Sequence, residues 1–302
     1  MQCIQLNIMA LPHAELSRTA DMRELDITQR IQIMVQQEIK YSCCNYLENS
    51  GIVIDQNSRA QMIQWLFQVV DCFKFSRSNV YVAVSCIDRF LGTRKGKRYL
   101  QDKNLFQLVY ITCIHVAIKL NETSELGDDI LVGLCKGMFR IEEINRTEAE
   151  ILSALDWHVN PPCPRTYLQH FTALMTDRIS PDSKRDLMEL ACYQTEISLF
   201  NYDMSMLSRP SVVALASLMN ALSLCPEISK YHCAICLRDL QCCTGEHQPQ
   251  RVVDHVKRLL IDQLGKVNVP EQPKEIPASA KRPRSSSATL EVITSLPIAI
   301  LE

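Results

Sequence analysis

The stretch Arg59–Leu91, RAQMIQWLFQVVDCFKFSRSNVYVAVSCIDRFL, decides the fold. Its apolar residues recur at helical spacing on either side of a short polar link, Ser76-Arg77-Ser78, which predicts two amphipathic helices. Charged residues interrupt both apolar faces: Arg59 near the start of the first, Asp88 and Arg89 near the end of the second. An unpaired buried charge is strongly destabilising, so a helix that buries one usually buries its partner as well. Arg59 and Asp88 are therefore expected to form a buried pair that ties the two helices together.

Helical periodicity continues in both directions. Upstream, Asp26–Leu47 carries Ile27, Ile31, Met34, Val35, Ile39, Cys43 and Tyr46 on one stripe, and Asn49-Ser50-Gly51 stops it. Residues 1–25 have weak periodicity and form a lead-in. Helices are expected at Asn57–Phe73 and Ser78–Leu91, then, past the basic loop Gly92–Arg98, at Asn104–Leu120, Gly127–Cys135 and Arg140–Leu155. Asn104–Leu120 is apolar almost all round, as a central buried helix should be. Asp156–Pro164 (DWHVNPPCP) cannot continue a helix, because proline lacks the N–H and clashes with the preceding turn. Beyond it, helices are expected at Arg165–Thr176, Pro181–Tyr202, Arg209–Leu224, Pro226–Asp239 and Gln250–Leu264. The expected fold is all-α: an N-terminal helix with a first five-helix repeat over 26–158, and a second such repeat over 159–266. Residues 267–302 are rich in Pro, Ser, Glu and Lys and are expected to be a disordered tail.

Composition narrows the function. A formal net charge of -2 gives no overall basic field for nucleic acid, and no apolar run approaches the roughly 20 residues of a membrane span. The 14 cysteines follow no disulfide-like spacing; Cys86, Cys113 and Cys192 fall on apolar helical faces, as reduced structural thiols do. No Gly-rich phosphate loop and no acid-base or metal constellation stands out, so no catalysis and no cofactor are expected. Cys233-x-x-Cys236 with Cys242, Cys243 and His247 has some metal-ligand character, but it straddles an expected helix and its exit loop and is not read as a metal site.

Arg59, Asp88, Leu108, Lys119 and Glu148, in that order, together with SLFNYDMSMLSRPSVVALAS at 198–217, resemble the cyclin family. The resemblance runs from about Asp26 to Leu264 and is strongest in the first five helices. It implies two cyclin-box repeats in tandem and a protein that binds and activates a cyclin-dependent Ser/Thr kinase as a heterodimer. The short N-terminus, the single tail and the LDWHVNPPCP segment lean toward a G1 or G1/S, D-like member. LDWHVNPPCP and the departures in the first helix are similar to microalgal, diatom-type cyclins. A cyclin for a nutrient-signalling or transcriptional kinase, or a cyclin-fold transcription factor on DNA, are the other readings. The last should show a basic stripe across both repeats, and none is visible in the sequence.

Within that resemblance, Lys119 and Glu148 are the expected kinase-binding pair, with Val116, Leu120 and Leu152 forming a groove for an aliphatic residue of the docked helix. The alternative is a purely internal ion pair. Arg59, Asp88 and Leu108 are read as structural. Met62 and Trp65 occupy the positions from which some cyclins dock substrate or inhibitor peptides, but Ser58 and Gln61 stand where that patch is usually apolar, which favours a core role for Trp65. Lys281, Arg282 and Arg284 resemble a nuclear-import signal beside phosphorylatable Ser285, Ser286 and Ser287, against the reading of a solvated basic tail; with the signal, nucleus and cytoplasm are the expected locations.

Overall fold

The computed structural model describes residues 13–48, 53–175, 179–225, 250–266 and 269, and among them every regular element is a helix. The first is α1 (His13–Glu38), which ends in a single 3-10 turn. The first repeat then comprises α2 (Gln56–Cys72), α3 (Ser78–Leu91), α4 (Lys103–Asn121), α5 (Asp128–Leu134) and α6 (Ile141–Ala154). The second contains α7 (Pro164–Leu174), α8 (Pro181–Ser198), α9 (Tyr202–Leu207), α10 (Pro210–Leu224) and α11 (Gln250–Gln263). The expected helix over 226–239, the Cys233–His247 group and the expected disordered tail lie outside the described residues.

Local chemistry sets these boundaries. Asp55 caps α2 by accepting from the backbone N–H of Ser58 at 2.7 Å and from its hydroxyl at 2.6 Å, and these bonds hold the Asp55 carboxyl below its usual range. Asp102 caps α4 in the same way, accepting from Asn104 and Leu105. Prolines open α7, α8 and α10, where the missing N–H is no loss. Gly96 is obligatory for a packing reason: a Cβ there would stand 2.0 Å from the carbonyl oxygen of Phe90.

Two sequence expectations are corrected. The helix expected over Asp26–Leu47 begins earlier, at His13, and ends at Glu38, so Ser42–Glu48 runs as irregular chain across the molecule. Its apolar stripe has two destinations: Ile31 and Val35 enter the core of the second repeat, while Tyr46 enters that of the first. The helix expected over Pro181–Tyr202 stops at Ser198 and is followed by the separate short helix α9, because Asn201 caps a new start by accepting from the N–H of Met204 at 2.9 Å. Leu199 and Tyr202, either side of that break, join the first core. Each repeat thus receives a piece of chain that sequence order assigns to the other.

The central helices are α4 and α10. α4 packs against α3 and α6, and α10 against α7, α8 and α11. Among the described residues, no helix is long and apolar enough to cross a membrane.

Candidate partner-binding site

Two ion pairs on the first repeat differ sharply in their exposure. The Arg59–Asp88 pair is wholly buried, with 1% and 4% of the side chains exposed. The guanidinium grips both carboxylate oxygens, Nε to Oδ1 at 2.9 Å and Nη2 to Oδ2 at 2.6 Å. Asp88 Oδ1 also accepts from the Tyr46 hydroxyl at 2.7 Å, and Arg59 Nη1 donates to the carbonyl of Leu199 at 2.7 Å. The Tyr202 ring lies under the guanidinium, and its hydroxyl accepts from the N–H groups of Tyr46 and Leu47. The pair therefore joins α2 to α3, and both to the chain after α1 and to the second repeat. Burial beside Asp88 pushes the Tyr46 phenol well above its ordinary value, so it stays a donor.

Two further buried contacts brace the repeats. Arg77 donates to both oxygens of Asp71 and, at 2.7 Å, to Glu196 of α8, with its guanidinium over the Phe67 ring. Glu38, at the end of α1, reaches the N-terminus of α10, where it accepts from the Ser211 N–H at 3.1 Å, the Ser211 hydroxyl at 2.7 Å and the Tyr167 hydroxyl at 3.3 Å. The RPS triplet of the sequence thus has a structural meaning: Pro210 opens the helix and Ser211 receives a carboxylate at its positive end. Burial raises the Glu38 carboxyl above its ordinary range, the Ser211 bonds opposing that shift.

Lys119 and Glu148 also pair, Nζ to Oε1, but at the surface, with 31% and 17% of their side chains exposed. α4 delivers the lysine from its last turn and α6 the glutamate from mid-helix. One carboxylate oxygen uses only one of the three ammonium donors, and the Glu148 Oε2 keeps its acceptor capacity. Beside them Leu120 is 46% exposed and Leu152, one turn along α6 from Glu148, is half-buried. Val116 is not part of this surface: it is buried in the first core, because α4 turns that face inward toward α3 and α6. Leu108, as a structural residue, is buried in the same core.

The residue that sequence reasoning passed over is Trp157. It is 73% exposed, and its backbone N–H donates to the carbonyl of Leu152 at 3.0 Å, which holds its backbone just past the end of α6. Asp156 and Trp157 both have left-handed backbone, φ +48° and +60°, a conformation that costs ordinary residues about 1–2 kcal/mol. An exposed tryptophan among the prolines of DWHVNPPCP, with no helical face to pack on, was the available signal.

The core role favoured for Trp65 agrees with its burial, and the alternative of a first-helix docking surface does not. Met62 and Trp65 are buried at 3% and 4% exposure in the first core, and Trp65 Nε1 has no hydrogen-bond partner there. Ser58, polar where a patch would be apolar, instead helps cap α2 through Asp55. The basic loop is also partly committed: Arg98 pairs with Glu150, and Lys95 Nζ donates to the Ser153 hydroxyl at 3.3 Å, both on α6. His115 is buried, and burial lowers its pKa. Burial pushes the thiol of Cys86 up to about 12 and that of Cys192 to about 11, as in unreactive structural cysteines. No cluster of metal-ligating side chains is found among the described residues. Lys281, Arg282, Arg284 and Ser285–Ser287 lie outside them.

With the geometry in place, comparison with known proteins is direct. The family model "Cyclin, N-terminal domain" matches residues 29–160, which spans the end of α1 through the proline linker. Cyclin-A3-2 of Oryza sativa subsp. japonica is 28% identical over 192 residues, covering 63% of this chain and 47% of that protein. G2/mitotic-specific cyclin-B3 of Gallus gallus is 27% identical over 213 residues, covering 68% and 49%. The chain spans about half the length of the curated relatives it matches. Among solved structures, a viral cyclin from herpesvirus saimiri superposes with a TM-score of 0.57 at 19% identity, over 70% of this chain and 86% of that one, a likeness of fold.

Proposed function

We propose that this chain, whose residues 29–160 match the cyclin N-terminal domain, is a cyclin that acts as the regulatory subunit of a cyclin-dependent Ser/Thr kinase and performs no catalysis itself. The observation that carries the reading is the half-open Lys119–Glu148 pair, flanked by the exposed Leu120 and the half-buried Leu152. A cation and an anion on a rigid two-helix frame can hold carbonyl and N–H groups of a docked segment, while the apolar neighbours take its aliphatic side chains. The docked segment is the kinase's regulatory helix. Docking turns that helix inward, which sets its glutamate against the ATP-binding lysine of the kinase.

The test is a pull-down from synchronised cells with wild type and Lys119→Ala/Glu148→Ala, each followed by a kinase assay. Wild type recovers kinase activity and the double variant does not. Equal recovery overturns the groove, and a wild type that recovers no kinase while shifting DNA in a gel makes the chain a cyclin-fold transcription factor instead. The sequence reading places the action at G1 or G1/S. The A-type and G2/mitotic names of the relatives favour a later phase, and the same pull-down, sampled across synchronised phases, separates the two. Lys281, Arg282 and Arg284 support nuclear entry from the cytoplasm; replacing all three with alanine should leave the protein outside the nucleus.

A further inference from the structure

A cavity of about 240 Å³ opens where α1, α3, α9 and α10 meet, between the two repeats and away from Lys119 and Glu148. Protein interiors are close-packed, and an engineered apolar hole of about 150 Å³ already accepts a guest the size of benzene. Its apolar walls come from Val84 of α3, Leu199, Met204 of α9 and Val213 of α10, and its charged surroundings include Arg89 and Arg209. Methionine side chains adapt to whatever they enclose. Asp88, which also lines it, is already held by Arg59, and both oxygens of Glu38 are engaged by Ser211 and Tyr167. Arg89 has its guanidinium over the Tyr41 ring and one N–H on the carbonyl of His158, while the Arg209 side chain is exposed, its charge acting on Glu38 without a hydrogen bond to the described residues. The site is therefore a slot whose aliphatic walls stand among serine hydroxyls (Ser42, Ser85, Ser198, Ser205 and Ser208), with Arg89 and Arg209 as its cations.

The chain itself contains a segment of matching chemistry. Residues 290–302, LEVITSLPIAILE, set an aliphatic run between Glu291 and Glu302, in a tail otherwise rich in Pro, Ser and Lys. Such a run is unfavourable in water and prone to self-association, so a site that shelters it stabilises the monomer. The link is long enough: between Val269, which is buried against the folded body, and Val292, the chain can extend roughly 70 Å at about 3.3 Å per residue. We propose that the cavity between the repeats is the docking site for the chain's own segment 290–302, its aliphatic residues in the slot and its glutamates at Arg89 and Arg209.

The probe is a fluorescein-labelled peptide of residues 288–302, titrated by anisotropy into full-length protein. In the wild type the tethered segment competes at an effective concentration on the order of mM, so the peptide binds weakly. Full-length Leu296→Asp/Ile298→Asp/Ile300→Asp, whose tail can no longer compete, should bind it at least about tenfold more tightly. Adding Ser85→Phe, or separately Ser205→Phe, to that variant fills the slot and should abolish binding. Adding Arg89→Glu/Arg209→Glu should weaken binding, and a peptide with lysine at 291 and 302 should restore it. Thermal melts verify that each variant is folded. Equal affinity for wild type and triple variant, binding that survives both phenylalanine substitutions, or no binding to either chain overturns the proposal. Wild type that sediments as a dimer and becomes a monomer on the triple substitution also overturns it, and assigns the cavity to the tail of a second copy.

Discussion

Arg59–Asp88 and Lys119–Glu148 are the same kind of bond in two different solvents. The first is dry: its groups bind each other, Tyr46 and the Leu199 carbonyl, and burial closes them to an outside partner. The second stands at the surface with donors and an acceptor to spare. In a low-dielectric interior, a charge stripped of its partner cannot be rescued by water, whereas at the surface water replaces the partner at small cost. Burial, rather than residue type, separates the brace from the candidate binding site.

Breaking the buried pair should have the largest effect. Asp88→Ala leaves the Arg59 guanidinium uncompensated and should cost about 3–5 kcal/mol in urea denaturation. A loss below about 1 kcal/mol would mean that the pair is solvated in solution.

Glu38 and Glu196 sharpen the comparison from the other side, as buried carboxylates whose pKa burial raises. The folded protein holds their protons to higher pH than the unfolded chain, whose glutamates titrate near 4.5. The stability they contribute is therefore complete below about that pH and is lost as the pH rises through the raised folded values. Glu38→Gln cannot titrate, so its stability should fall less steeply above pH 4.5 than that of wild type. An unchanged slope across a pH series of denaturant midpoints would remove Glu38 from the account.

The surface pair should behave in the opposite way. Lys119→Ala/Glu148→Ala should change the unfolding free energy by no more than about 1 kcal/mol while abolishing kinase recovery. A double-mutant cycle with a coupling above about 2 kcal/mol would make the pair structural. Smallest of all, Trp157→Ala should leave stability within about 0.5 kcal/mol of wild type, since the indole packs on little, yet weaken kinase recovery. A clear drop in melting temperature would place the indole in the core after all.

Periodicity made most of the first repeat legible. The expected Ser78–Leu91 coincides with α3, and α2, α4, α5 and α6 lie within a residue of their expected ends. These helices carry strong local patterns and caps. The failures lie where distant chain decides the outcome. Nothing local in EIKYSCCNYL says that the helix must stop at Glu38, because Tyr46 is held off the helical path by Asp88 and Tyr202, far away in sequence. The break after Ser198 likewise lets the Leu199 carbonyl turn to Arg59. At the candidate site, Lys119 and Glu148 were visible as charges among apolar neighbours. That Val116 is buried depends on how α4 meets α3 and α6, and the exposure of Trp157 shows only once the chain has turned after α6.

By itself, then, the sequence determined the helical class, the repeat order and the charges that had to find partners, since these depend on spacing along the chain. Only the tertiary structure decided which pair is dry and which is open, that Glu38 caps a helix in the other repeat, and that a cavity remains between the two. The physical reason is that burial and hydrogen-bond partners are properties of packed surfaces. Residues as distant as Glu38 and Ser211 share one environment only after the chain has folded.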